Sequence, residues 1–357
     1  MNRHLPVLVT ALVFAAAYAL CAAQFPAFLS TRVVGNLLTD SAFLGIVAVG
    51  MTFVIVSGGI DLSIGSVIAF TSVFLAIAIE RWGLPPLAAF ALALAIAALF
   101  GAVMGWIIAA LDLPPFIVTL AGMFLARGGS FLLSTASIPI ATPFYDAVSE
   151  ASLRLPGGGR LTVVAAIMLA VFIGGGLLLH LTRFGTLAYA LGGSRVSARL
   201  MGLRVGAGTV AIYTLSSLLA GLSGIVFSLY TSSGYSLSAV GVELDTIAAV
   251  VIGGTLLTGG QGLMIGTFLG VMIQALIGTY ITFDGTLSSW WAKIATGALL
   301  FVFIALQQVL SALARRARRP GQTSPGQTSP GQASPGAASG AGPLPARALP
   351  RARHASS

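Results

Sequence analysis

The chain has 357 residues, of which 57% are hydrophobic and only 8% charged, and its mean hydropathy is +0.99. So few charges cannot cover a water-soluble domain of this length, but they suit a chain folded in hydrocarbon. The net charge of +9 comes from arginines that flank apolar segments and from a basic tail, which argues against nucleic acid as a partner.

Crossing roughly 30 Å of hydrocarbon takes about 20 mostly apolar residues. Such segments lie near 5–23, 37–57, 62–79, 85–111, 115–134, 161–181, 210–231, 246–258, 261–281 and 289–311. The expected fold is therefore all-α: a polytopic membrane protein with about ten transmembrane helices, some short or broken. The first segment follows Arg3 and His4 and could pass for a signal peptide, yet it is long enough to span and is read as an uncleaved helix. Cys21 is the only cysteine, so no intramolecular disulfide or cysteine metal site can form.

After the second segment, Ser57-Gly58-Gly59 ends a helix, Ile60 bridges, and Asp61 precedes a new helix from Leu62, with Ser63 beside it. Two readings stay open for Asp61: a cap on a tight helix–helix turn, or a polar group lining a broken helix. The stretch VSGGIDLSIGSVIA (56–69) aligns without gaps on LTGGQGLMIGTFLG (257–270), matching Gly58 to Gly259 and Gly59 to Gly260. Corresponding breaks in two halves mark a weak internal repeat of the kind transporters use. Candidates for a translocation path are Gly58, Gly59, Asp61, Ser63, Asp245, Gly259 and Gly260.

Basic residues set the orientation, because they gather in cytoplasmic loops. Arg183, Arg195, Arg199 and Arg204 form one cluster, and Arg315, Arg316, Arg318 and Arg319 another. Ten spans with both termini cytoplasmic put these clusters inside with Arg3, Arg347, Arg351 and Arg353, and leave Arg32, Arg81, Arg154 and Arg160 outside. The eighth segment is short, lying between Asp245 and the TGGQG break, and is counted as crossing because otherwise the clusters would face opposite sides. Residues 1–314 then form the membrane domain. Residues 315–357 form a basic tail, expected to be disordered, whose repeat PGQTSPGQTSPGQASPG cannot build a core.

Chemistry of the chain's own is not expected. Lys293 is the only lysine and sits in SSWWAKIA, so no Gly-Lys-Ser/Thr phosphate loop exists. The histidines, His4, His180 and His354, are far apart and form no zinc motif. The chain reads as neither an enzyme nor a cofactor binder. Tyr280, Phe283, Asp284, Trp290 and Trp291 fit an interfacial belt or a cargo path, and Arg127 and Lys293 fit anchoring at an interface. Glu243 and Asp245 form an acidic pair ahead of the eighth segment.

The stretches GMTFVIVSGGIDLSIGSV, ALGGSRVSARLMGL (190–203) and GVELDTIAAVVIGGTLLTGGQG (241–262) resemble signatures of the sugar permease subunits of bacterial ATP-binding-cassette importers for ribose, xylose and galactose. The resemblance runs from about Leu5 to Leu310. In LTDSAFLGIVAVGMTFVIVSGGIDLSIGSVIAF, LPGGGRL (155–161) and FDGTLSSWW (283–291) it is greatest to permeases of galactofuranose importers. It implies a multi-pass protein of the bacterial inner membrane, paired with a second permease, identical or homologous. A separate ATPase subunit would bind the ATP, and a periplasmic sugar-binding protein would deliver the cargo. It also implies an ATPase-coupling segment at Gly192–Leu203, with Gly192, Gly193, Ser194, Arg195, Arg199 and Gly202 as its marks, for which Val196→Pro is a natural helix-breaking test. Family members often carry Asn where Ser194 stands. Arg154, Arg160 and Glu243 are the candidates for meeting the periplasmic partner. An ion-coupled secondary transporter using Asp61 and Asp245, or a passive channel, is the alternative.

Overall fold

The computed structural model describes residues 5–288 and 290–317. Arg3, His4, His354, the arginines from 318 onward and the Pro-Gly repeat lie outside the described residues.

Apolar composition around the whole circumference, as in the charge-free run Pro86–Ala110, makes helices that only lipid or other helices can cover. Helix α1 (Leu5–Gln24) ends in a 3-10 turn, Pro26–Leu29. Helices α2 (Thr31–Asp40) and α3 (Ala42–Val56) meet at a bend of 56°. There the Ser41 hydroxyl donates to the Leu37 carbonyl at 2.6 Å, a local bond of the kind that bends helices. Next come α4 (Ile64–Glu80), α5 (Pro86–Ala110) and α6 (Pro115–Leu133). The last two begin on proline, whose missing N–H costs nothing in a first turn. A short strand β1 (Ile138–Pro139), a helix α7 (Pro143–Glu150) and a hairpin of β2 (Ser152–Arg154) with β3 (Arg160–Thr162) follow. Helix α8 (Val163–Leu181) leads to α9 (Arg183–Gly193) and α10 (Arg195–Leu200). Then come α11 (Val205–Thr231), β4 (Ser233–Gly234) paired with β1, α12 (Val242–Ile252), α13 (Met264–Asp284) and α14 (Trp290–Ala317).

The core is built around α11, which packs on α5, α3 and α4. Gly101 and Gly105, one turn apart on α5, allow this closeness. A Cβ at Gly101 would strike the Tyr213 carbonyl, and one at Gly105 would stand 2.8 Å from the Val210 Cα. Small residues four apart let backbones approach where lipid supplies no hydrophobic drive. Helices α3 and α4 are almost wholly buried, whereas α1, α5, α6 and α14 turn large apolar side chains such as Leu12, Leu99, Leu125 and Phe301 outward, as a lipid-facing ring does.

The all-α polytopic reading holds, with two small sheets added. Among the described residues, six helices are long and apolar enough to span alone, and the bent α2–α3 pair makes a seventh; Ile64–Glu80 and Trp290–Leu306 are shorter. Length and composition therefore support six or seven of the ten expected spans. The eighth segment is helical at Val242–Ile252 rather than 246–258, and irregular from Gly253 to the start of α13. The second span is broken at Asp40–Ser41, α4 begins at Ile64 rather than Leu62, and α14 runs on to Ala317. The bundle has two distinguishable ends. Both sheets and α7 lie at the hairpin end; the breaks at 57–63 and 253–263 lie at the glycine end.

Candidate functional site

Asp61 is completely buried. Its Oδ1 accepts from the Ser63 amide at 3.0 Å and the Ser63 hydroxyl at 2.7 Å, and its Oδ2 accepts from the Ser216 hydroxyl of α11 at 2.8 Å. Three donors hold a carboxylate that burial alone would penalise heavily. The capping reading holds in altered form. Asp61 stands two residues before Ser63, the N-cap of α4, and binds the Ser63 amide in an Asx-type turn. Thr119 of α6 donates to the Ile60 carbonyl at 3.2 Å, so two neighbouring helices satisfy this break.

The second break lies against the first. Gly58, Gly259 and Gly260 have φ of +81°, +82° and +76°, a region open to glycine without steric cost. The Gly260 amide donates to the Val56 carbonyl at 2.8 Å, and a Cβ on Gly259 would stand 2.8 Å from the Gly58 Cα and 3.0 Å from the Gly192 Cα. A Cβ on Gly192 would strike the Val56 carbonyl and the Gly260 amide. The three glycine pairs 58–59, 192–193 and 259–260 thus converge on one junction. Nearby, the Thr52 and Thr267 hydroxyls bond at 2.8 Å, and the Tyr189 hydroxyl of α9 donates to the Gly262 carbonyl at 2.6 Å. Helix α9 is therefore stitched to the second break and wedged against the first.

From this junction the chain turns outward into α10. Ser194 caps it, accepting from the Ser197 amide at 3.2 Å, and Gly202 closes it at φ +80°. Ala198 is buried beneath, while Val196, Leu200 and Met201 are 71%, 84% and 68% exposed. Arg199 is exposed and Arg195 partly so. Bulky apolar side chains thus stand beside basic neighbours on a protruding turn. Sequence reasoning named the arginines and missed Leu200 and Met201, whose spacing from Val196 carried the signal.

A cavity of about 820 Å³ lies beside the α2–α3 bend, among α2, α3, α12, α13 and α14, with Ala27 and Gly157 of the hairpin end on its wall. Its volume suits a small-molecule site, for which about 300–1,000 Å³ is usual. Asp40 and Asn36 of α2 line it together with Gln274, Asp245 and Lys293. Lys293 forms an ion pair with Asp245 that joins α14 to α12. The Arg127 guanidinium donates to the Ser236 and Ser238 carbonyls at 2.6 and 2.8 Å.

The path candidates separate. Asp245 lies on the cavity wall; Gly58, Gly59, Asp61, Ser63, Gly259 and Gly260 lie at or beside the junction. Arg154 and Arg160 are cross-strand neighbours on the β2–β3 hairpin and are exposed, whereas Glu243 turns inward against Gly65, its Oε2 buried. Trp290 and Trp291 point outward, while Phe283 packs on Phe25 and Phe28 at 5.9 and 4.9 Å between ring centroids. No metal-ligating cluster exists among the described residues.

Broken buried helices around a glycine junction, inside a bundle whose outer helices turn large apolar side chains outward, have the build of a membrane permease. The chain belongs to the family described as branched-chain amino acid transport system / permease component, whose model matches residues 33–304. Permease components of this kind are not enzymes. The chain is 60% identical to the inner membrane ABC transporter permease protein YjfF of Escherichia coli (strain K12), over 88% of this chain and 95% of that one. It is 35% identical to the fructose import permease protein FruG of Bifidobacterium longum (strain NCC 2705), over 87% and 93%. Identity to the ribose import permease protein RbsC of Escherichia coli (strain K12) is 37%, over 78% and 86%. No solved structure matches the chain.

Proposed function

We propose that this chain is the membrane-spanning subunit of an ATP-binding-cassette importer that carries a monosaccharide into the cytoplasm. A separate ATPase subunit supplies the energy, a periplasmic sugar-binding protein delivers the cargo, and a second permease completes the pathway in the bacterial inner membrane. The observation that carries this reading is the close fit of Gly192 against the hydrogen-bonded Val56 carbonyl and Gly260 amide. A displacement of the exposed α10 turn reaches both helix breaks through backbone contacts, with no flexible side chain to absorb it.

On this reading the glycine end and both termini face the cytoplasm, and the hairpin end faces the periplasm. The relatives named for ribose and fructose import support a sugar as cargo. Galactofuranose or a related monosaccharide is the finer reading, supported by the likeness in LPGGGRL and FDGTLSSWW. The first of these is the turn of the β2–β3 hairpin and the second joins α13 to α14, where a delivering protein would dock. Ion coupling through Asp61 is disfavoured because both carboxylate oxygens already hold donors. Reconstitution with the ATPase and the binding protein tests the proposal: sugar should enter liposomes only when ATP is hydrolysed.

A further inference from the structure

The cavity beside the α2–α3 bend has a chemistry more specific than a polar gap. Arg32 and Lys293 line it together with Asp40 and Asp245, so two positive charges balance two negative ones and the space has no net charge to attract an ion. Several of the polar groups are already oriented. Asp40 accepts from the Tyr230 hydroxyl at 3.0 Å, Asp245 pairs with Lys293, and Gln274 donates its amide to the Asp245 carbonyl at 2.8 Å. The Gln274 amide oxygen is then left as a fixed acceptor. Phe283 lines the same space, its ring held by Phe25 and Phe28.

Hydroxyl groups donate and accept at once, so they match a wall that carries carboxylates, an ammonium and an amide among its apolar residues. The C–H face of a sugar ring matches an aromatic face. Because these four groups keep partners of their own, a solute held here is held weakly, the condition for passing it on. Irregular backbone at membrane depth persists where it lines such a space, and the bend at Asp40–Ser41 does so. We propose that this cavity is a transient binding station for a neutral polyhydroxylated solute, with Asp40, Asp245, Gln274 and Lys293 as polar contacts and Phe283 as the stacking face. The proposal rests on the sugar-permease reading and adds the place and residues of contact.

The test uses the complete transporter in liposomes with radiolabelled D-ribose, D-fructose and D-galactose, comparing the unmodified chain with Gln274→Leu and Lys293→Met. Uptake of the transported sugar should fall by about tenfold or more in each variant, the effect of one lost hydrogen bond to the solute. In a Cys21→Ala chain carrying Thr279→Cys, on the cavity wall, the same sugar should slow maleimide labelling severalfold. Labelling that ignores the sugar overturns the station, whether or not uptake falls, since lost uptake alone would mark a merely structural role. Both variants transporting at the unmodified rate would overturn it too, and in either case the importer reading stands. If none of the sugars enters with the unmodified chain, the importer reading fails and the station falls with it.

Discussion

The amide of Gly260 donates a 2.8 Å hydrogen bond to the carbonyl of Val56, tying the second helix break to the last turn of the helix that enters the first. Gly192 packs directly against both of those groups. In such a joint the parts are backbone, so a substitution cannot be absorbed by rotating a side chain.

Gly192→Ala should therefore force the junction apart. Expected is a protein that reaches the membrane at normal levels but transports sugar at about one tenth of the rate or less, since a misfit of more than about 1.4 kcal/mol suffices for tenfold. Gly174→Ala in α8, where a Cβ meets nothing within 4 Å, should transport normally. Normal uptake by the Gly192 variant would remove the junction from the coupling route.

Asp61 separates a structural carboxylate from a coupling one. Asn keeps an acceptor for Ser63 and can donate to the Ser216 oxygen, so Asp61→Asn should retain uptake within about threefold. Asp61→Ala orphans buried donors, at about 1–3 kcal/mol each, and should lower the amount of folded protein. Thermal unfolding in detergent and uptake per folded molecule read the two effects apart. Abolition of uptake by Asp61→Asn at normal stability would favour ion coupling.

The α10 turn gives a third test. Val196 is the second residue of the helix, in the first turn, where proline is tolerated; the break belongs at Ala198, buried and donating to the Ser194 carbonyl at 2.9 Å. Ala198→Pro should uncouple transport, and Leu200→Glu should strip the ATPase during purification while leaving membrane insertion intact. An ATPase that co-purifies normally with both would show that α10 is not its seat.

Orientation is checked with cysteines in a Cys21→Ala background. Ser194→Cys should react with an impermeant maleimide only from the cytoplasmic face, and Arg154→Cys only from the periplasmic face. Labelling of both from one side would contradict an elbow and a hairpin at opposite ends.

What was legible in the residues was whatever rests on local backbone needs. Gly58-Gly59 and Gly259-Gly260 announce breaks because paired glycines in apolar runs seldom continue a helix, and Ser194 announces a cap through its side-chain oxygen. The bend at Asp40 was hidden because an acidic residue at the edge of an apolar run reads equally well as the edge of a span. The pairing of Lys293 with the distant Asp245 and the meeting of Gly192 with Gly259 are long-range contacts that no local pattern reports. The Gly101–Gly105 spacing on α5 was readable but needed Tyr213 and Val210 of α11 to give it meaning. Helix α7 and the β2–β3 hairpin were missed because 135–160 lacks a clear period of either kind.

The most direct test of the account is sugar uptake by the complete transporter in the presence of a proton uncoupler, measured with an active ATPase subunit and with one disabled in hydrolysis. The account predicts that uptake survives the uncoupler and falls to background with the disabled ATPase. Uptake that collapses with the uncoupler yet persists without ATP hydrolysis would contradict it.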